Sequence, residues 1–305
     1  MVNSSPLISV EELARRIGES DLRIVDVRWV LGRPGAGRLA YDAGHLPGAI
    51  HVDLDTQLAD LSVANAGRHP LPRPAALEGT LSRAGIGDDS LVVAYDDVGG
   101  WVAARLWWML ERLRHRAVRV LDGGIGAWTA AELPLHTDTT NYPEGRLRLA
   151  DAWSGTVDRD DVLDRLSRAV ILDARGGPRY RGETEPIDPV AGHIPTAVNA
   201  PTDGNLGPDG RFLPADQLRV RLQGLGAASV QGLGAAPAPE GAASAPEGGV
   251  IVSCGSGVSA LHNALAMRIA GLPDPLLYVG SWSDWSTAGY PVATGPEPGD
   301  PPVRA

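Results

Sequence analysis

The chain has 305 residues, a formal net charge of −10 and 43% hydrophobic residues. That acidity repels nucleic acid and anionic membrane, which excludes both as partners, and no apolar stretch reaches the roughly 18 residues a spanning helix needs. The single cysteine excludes an intramolecular disulfide and any multi-cysteine metal site, and it fits a reducing cytoplasm. Met1–Leu7 lacks a charged segment followed by an apolar run, so no secretory signal is expected. Every basic residue is arginine, so a small anion would need individual arginines placed in a cleft, against the global field.

In chain order, Ser9-Val10-Glu11-Glu12 forms a capping box that opens a helix to about Ile17. Leu22–Val27 is an apolar run suited to a buried parallel strand, and Leu91–Tyr95 is another. Gly100–Leu113 has helical apolar spacing. A second set follows: strand-like Val170–Asp173 and Val250–Ser253, then helical Val258–Ala270. The two sets are copies. Ile24-Val25-Asp26-Val27-Arg28 returns as Ile171-Leu172-Asp173-Ala174-Arg175, and Ala43-Gly44-His45-Leu46-Pro47 as Ala191-Gly192-His193-Ile194-Pro195. Leu91–Asp96 matches Gly249–Cys254, and Asp122–Trp128 with Pro134 matches Val279–Trp285 with Pro291. Matches in one order at a nearly constant offset define a duplicated domain, with a period far too long for a solenoid.

The expected class is therefore α/β: two tandem domains, each a parallel β-sheet flanked by helices on both faces. Their expected bounds are residues 1–140 and 152–295, joined by a linker over about 135–151. Residues 223–249 are rich in Gly, Ala, Pro and Ser and read as a flexible surface insertion.

The chemistry centres on Cys254. It closes an apolar strand and is followed by Gly255-Ser256-Gly257-Val258-Ser259 before a helix opens. A strand, a glycine turn and a helix start bring backbone N–H groups together, and such a cradle stabilises an anion such as a thiolate or persulfide. Gly255 and Gly257 let the loop curl inward, and Ser256 adds a hydroxyl. A Cys-x5-Arg phosphate grip would need arginine at position 260, where the chain has Ala260; the next arginine is Arg268. In the first copy Asp96 takes the cysteine's place, and a carboxylate cannot carry sulfane sulfur, so that copy reads as non-catalytic.

These residues resemble the tandem rhodanese family of thiosulfate and 3-mercaptopyruvate sulfurtransferases. The resemblance rests on Cys254–Ser259, Asp173-Ala174-Arg175 with Arg179-Tyr180, Gly192–Pro195, Tyr278–Trp282, and Trp107-Trp108 with Asp122–Gly124. It implies two rhodanese domains with the active site at their interface, and ping-pong transfer of sulfur through a cysteine persulfide without a metal or organic cofactor. It implies Cys254 and Ser256 as catalytic residues, and a donor site built from Arg179, Gly255, Gly257, Val258 and Ser259, with Asp55 and His69 added from the first half. The loop Cys-Gly-Ser-Gly-Val-Ser is similar to that of the mercaptopyruvate branch, whereas the thiosulfate branch often has Arg and Lys after the cysteine. Many mercaptopyruvate enzymes also have an arginine after a Glu-Pro pair, but here Glu185-Pro186 precedes Ile187-Asp188, and Arg181 is the candidate substitute.

Arg28 and Arg175, and likewise His45 and His193, occur in both copies and so read as structural. Arg179 has no basic counterpart in the first copy, which offers Gly32 or, after a gap, Arg33, so it reads as functional. His262 reads as a helix-surface residue; Trp107, Trp108, Trp282 and Trp285 read as packing; Asp53 and Asp55 read as a solvated loop rather than a metal site. The implied partners are a small anionic sulfur donor and a thiol or thioredoxin-like acceptor, the chain acting as a cytoplasmic monomer. The competing readings are a phosphatase or arsenate reductase on the same fold and a non-catalytic sulfur-binding module.

Overall fold

A computed structural model describes residues 5–227 and 248–302. Most of the expected insertion lies outside the described residues. Its expected start is ordered structure instead: the helix Ala215–Gly224 runs into it, and Ala227 is fully buried.

The chain divides into two compact units. The first comprises residues 5–63, 71–154 and 206–212; the second comprises 64–70, 155–205 and the described residues from 213 onward. Two short segments thus belong to the unit built mainly from the other half of the sequence. Residues 64–70 bring His69 and its neighbours into the second unit.

Among the described residues the first unit holds a five-stranded parallel sheet. Its strands are β1 (Leu7–Ile8), β2 (Leu22–Asp26), β3 (Ala49–His51), β4 (Leu91–Tyr95) and β5 (Val118–Leu121), in the order β1-β5-β4-β2-β3. All pairings are parallel. The second unit repeats this with β6 (Thr156–Val157), β7 (Val170–Asp173), β8 (Val198–Asn199), β9 (Val250–Ser253) and β10 (Leu276–Tyr278), in the order β6-β10-β9-β7-β8. Every residue of β4 and β9 is buried. A central strand with no polar face needs helices on both sides, which explains its continuous apolar sequence. Trp107 and Trp108 lie buried in the helix Ala103–Arg112, and Trp282 and Trp285 in the helix Ser281–Thr287, so all four serve packing.

The helix starts are later than the apolar spacing suggests. The helices open at Ala103 and Ala260 rather than at Gly100 and Val258. The residues in front of each form the loop at the end of the central strand. Ser9 caps the first helix, Val10–Arg16, by accepting the Glu12 N–H at 3.1 Å.

The duplicated motif residues form one framework twice. Arg28 donates to Asp26 and to the Gly44 carbonyl; Arg175 donates to Asp173 and to the Gly192 carbonyl. Tyr41 stacks on His45 and Tyr180 on His193, each at 3.8 Å. Tyr41 donates to the Ala49 carbonyl and Tyr180 to that of Ala197. These ties lash the strand-end loops to the sheet and account for the repetition of arginine and histidine in both copies.

Candidate active site

Cys254 follows β9 directly and is almost fully buried. Its Sγ accepts the backbone N–H groups of Ser256 at 3.5 Å and Gly257 at 3.2 Å. Its own N–H donates to Ser281 Oγ at 3.1 Å, and Ser281 Oγ donates to the Tyr278 carbonyl. Its carbonyl accepts the Trp282 N–H at 3.0 Å. The sulfur is therefore fixed within a turn whose N–H dipoles face it. Gly257 has φ +73°, and a Cβ there would run into the Val279 carbonyl, so glycine alone fits. Val258 is buried, and Ser259 sits at the N-terminus of the helix Ala260–Ile269.

Ser256 Oγ and His69 Nδ1 share a 2.7 Å hydrogen bond, and both residues are buried. The structure thus brings His69 to the cysteine loop within the second unit. Asp55 belongs to the first unit, where its carboxylate accepts the Trp29 indole N–H at 2.9 Å. The segment around it is not a loop. Asp53 caps a short helix, Leu54–Gln57, by accepting the Thr56 N–H.

Arg179 lies in the last turn of the short helix Gly177–Tyr180. Its Nε and Nη2 donate to Glu185 at 3.1 and 2.6 Å, and Nη2 also reaches Asp188 at 3.1 Å. The Tyr41–Tyr180 equivalence makes Ala40 the first-unit counterpart of Arg179, in place of the Gly32 or Arg33 expected from sequence. Arg181 does not take up the role of the missing arginine. It pairs with Glu183 on the surface, at 2.7 and 2.8 Å.

The residue that sequence reasoning missed is Arg68. Its Nη1 pairs with Asp188 Oδ1, and its Nη2 lies 2.8 Å from where a Cβ on Gly255 would stand. Arg179 Nη1 and Nη2 lie 3.7 and 3.9 Å from that same point. Two guanidinium groups thus flank the residue after Cys254, and a side chain larger than glycine would displace one. Arg175, buried, faces Trp282 at 4.5 Å, and its Nη1 makes an ion pair with Glu185 at 3.5 Å.

The charges around Cys254 shape the titration of their neighbours. Burial raises the Asp188 carboxyl above the usual carboxylate range, while Arg68 and Arg179 pull it back. Burial pushes Glu185 the same way, but hydrogen bonds from Arg179 and the Asp188 N–H outweigh it and hold Glu185 low. Burial disfavours the Arg175 cation, yet Asp173, Glu185 and Cys254 together raise it.

His262 is a correction. It is fully buried rather than on the helix surface, and its Nδ1 meets Asn205 Nδ2 at 3.0 Å. Asn205 also donates to Asn263 and accepts from Arg221. This network ties the helix Ala260–Ile269 to the segment Thr202–Asn205. Among the described residues no group of three or more His, Cys, Asp or Glu is placed to hold a metal ion.

In the first unit the same loop holds Asp96. Its carboxylate accepts the N–H groups of Val98, Gly100, Val102 and Ala103 at 2.8–3.0 Å, and burial raises its pKa against those bonds. Its carbonyl accepts the Ile125 N–H, as that of Cys254 accepts from Trp282. Asp96 and Cys254 thus occupy equivalent places in the two units.

The comparisons with known proteins agree with this geometry. A model of the rhodanese-like domain matches residues 9–131 and again 158–288. The chain belongs to the rhodanese family and carries two of its domains. It is 43% identical over 299 residues, 96% of this chain and all of the relative, to a Pseudomonas aeruginosa protein named "Probable 3-mercaptopyruvate sulfurtransferase". It is 31% identical to the thiosulfate sulfurtransferase of Rattus norvegicus, covering 92% of this chain and 91% of that one. Among solved structures, 3-mercaptopyruvate sulfurtransferase from Leishmania major aligns with a TM-score of 0.78 at 28% identity, covering 93% of this chain and 75% of that chain.

Proposed function

We propose that the chain is a sulfurtransferase that moves sulfane sulfur from 3-mercaptopyruvate or thiosulfate to a thiophilic acceptor through a persulfide on Cys254. The observation that carries this reading is a buried cysteine sulfur held by loop N–H groups, with Arg68 and Arg179 flanking the next residue, Gly255, and a Ser256–His69 hydrogen bond in the same loop. In the first half-reaction the Cys254 thiolate attacks the donor's terminal sulfur. With 3-mercaptopyruvate the C–S bond breaks, its electron pair stays on carbon, and the resulting enolate takes a proton to become pyruvate. With thiosulfate the S–S bond breaks and sulfite leaves with the pair. Arg179 and the N–H groups of Gly255, Gly257, Val258 and Ser259 hold the donor anion in this scheme. The hydroxyl of Ser256, oriented by His69, polarises the donor and relays the proton.

In the second half-reaction cyanide, a thiol or a thioredoxin-like dithiol attacks the outer sulfur, and Cys254 returns as thiolate. The role of Asp55 rests on the family resemblance alone. The catalytic domain is the C-terminal one, and the N-terminal copy, with Asp96 in its loop, takes no sulfur. No helix among the described residues is long and apolar enough to cross a membrane. A lone thiol of this reactivity suits a reducing cytoplasm, and one chain supplies the residues around Cys254, so a monomer suffices.

A rapid-mixing experiment without acceptor tests the scheme. It should release one equivalent of pyruvate or sulfite per chain in a burst and then stop. Release that is absent with both donors, or that continues without acceptor, would contradict it.

A further inference from the structure

We infer that Arg68, carried on the 64–70 segment of the second unit, binds the donor's anionic group together with Arg179, so that the neutral loop after Cys254 is served by a two-guanidinium clamp. This inference rests on the sulfurtransferase reading above and adds a specificity residue to it.

Three observations carry it. First, the guanidinium groups converge. Arg68 Nη2 and Arg179 Nη1 and Nη2 all lie within 4 Å of the missing Cβ of Gly255, the residue bonded to Cys254. Second, the two arginines are held from behind by one carboxylate. Asp188 gives Oδ1 to Arg68 and Oδ2 to Arg179, and Glu185 takes the Nε–Nη2 edge of Arg179. These pairs neutralise the far sides of the forks while Arg68 Nη2 and Arg179 Nη1 remain near Gly255. Third, Arg68 Nε is buried without a hydrogen-bond partner among the described residues. A charged donor left without an acceptor is costly, and an oxyanion at this point would supply one.

Arg68 is also reachable. About a quarter of its side chain is exposed (26%). Arg175 completes the cationic surround but is committed to Asp173 and the Gly192 carbonyl. The formal charges of Arg68, Arg179, Glu185 and Asp188 cancel, so the ion pairs hold the two guanidinium groups without leaving the cluster strongly charged. A carboxylate and a sulfonate share the chemistry this clamp recognises. The two donors are therefore separate arms of the test.

The test is steady-state kinetics of Arg68→Ala, Arg68→Lys and Asp188→Asn with each donor, cyanide being the acceptor. Arg68→Ala should raise the donor KM roughly 10- to 100-fold, the range expected for a lost charge-assisted hydrogen bond, with the cyanide KM unchanged. Arg68→Lys should recover part of the loss, and added guanidinium ion should rescue Arg68→Ala. Asp188→Asn should lower the donor KM, because it releases positive charge. A purely structural ion pair would instead make both partners' variants fail in the same direction. A donor KM for Arg68→Ala within about twofold of the wild type for both donors would overturn the inference, as would equal losses in the Arg68 and Asp188 variants. If Arg68→Ala does not fold, Arg68→Lys and Asp188→Asn decide by the same opposite signs. Wild type that takes no sulfur from either donor would instead sink the sulfurtransferase reading.

Discussion

The loops at the ends of β4 and β9 are the same turn filled in two ways. In the first unit a carboxylate takes the cradle, and Asp96 accepts the N–H groups of Val98, Gly100, Val102 and Ala103. In the second unit the thiol of Cys254 sits there and accepts from Ser256 and Gly257. A carboxylate brings two oxygens and so consumes the turn's donors in holding itself. A sulfur brings one atom and a nucleophile. The surroundings diverge in step. Arg179 stands where the first unit has Ala40, Ser281 where it has Gly124, and Ser256 where it has Val98. The shared framework of Arg28 and Arg175, His45 and His193 does not diverge. In one copy the loop is self-liganded; in the other it holds the thiol on which the proposed chemistry rests.

The largest expected effect comes from making the second loop copy the first. Cys254→Asp should abolish sulfur transfer but leave a folded protein, because a carboxylate can take up the same N–H groups. Activity and thermal unfolding measured side by side check this; an unfolded variant would show that the two cradles are not interchangeable. The reverse loss, Asp96→Ala, leaves several buried N–H groups without an acceptor and should cost about 3 kcal/mol in denaturant unfolding. A loss under about 1 kcal/mol would mean that water replaces the carboxylate.

Ser281→Gly is a finer probe. Ser281 has φ +51°, a left-handed conformation that costs a non-glycine residue about 1 kcal/mol, and the first unit has Gly124 at φ +55° there. Glycine relieves that strain but frees the Cys254 N–H, so stability should stay within about 1 kcal/mol of wild type while kcat/KM falls roughly fivefold. A kinetic parameter that does not move would show that the Ser281 hydroxyl contributes nothing to sulfur transfer.

The smallest effect concerns pH. Burial raises the Asp188 carboxyl. Above its pKa it is ionised and neutralises one arginine; below it the carboxyl is neutral and the cluster gains one positive charge. Inhibition by pyruvate should therefore strengthen as pH falls through this pKa, by no more than about fivefold given solvent screening. Asp188→Asn should show no such slope. A slope that persists in the variant would assign the titration to another group.

Much of the fold and of the site is legible in the sequence. Buried parallel strands are continuous apolar runs, so Leu91–Tyr95, Val170–Asp173 and Val250–Ser253 can be read to the residue. The duplicated motifs by themselves identify Asp96 as the counterpart of Cys254. What the sequence conceals is long-range and polar. Arg68 belongs by sequence to the first half, and nothing local marks it; only the inclusion of 64–70 in the second unit brings it to Gly255. His262 reads wrongly from spacing because its partner Asn205 lies far back in the chain, and helical periodicity alone cannot show a buried polar network. The first-copy counterpart of Arg179 needs the Tyr41–Tyr180 equivalence, which the differing loop lengths conceal.

The proposed chemistry turns on one sulfur atom carried at Cys254. Intact-mass measurement after donor treatment tests this directly. The wild type should gain the mass of one sulfur and lose it on addition of cyanide, and Cys254→Ser should gain none. A Cys254→Ser protein that takes up sulfur, or a wild type that takes up none from either donor, would contradict a Cys254 persulfide.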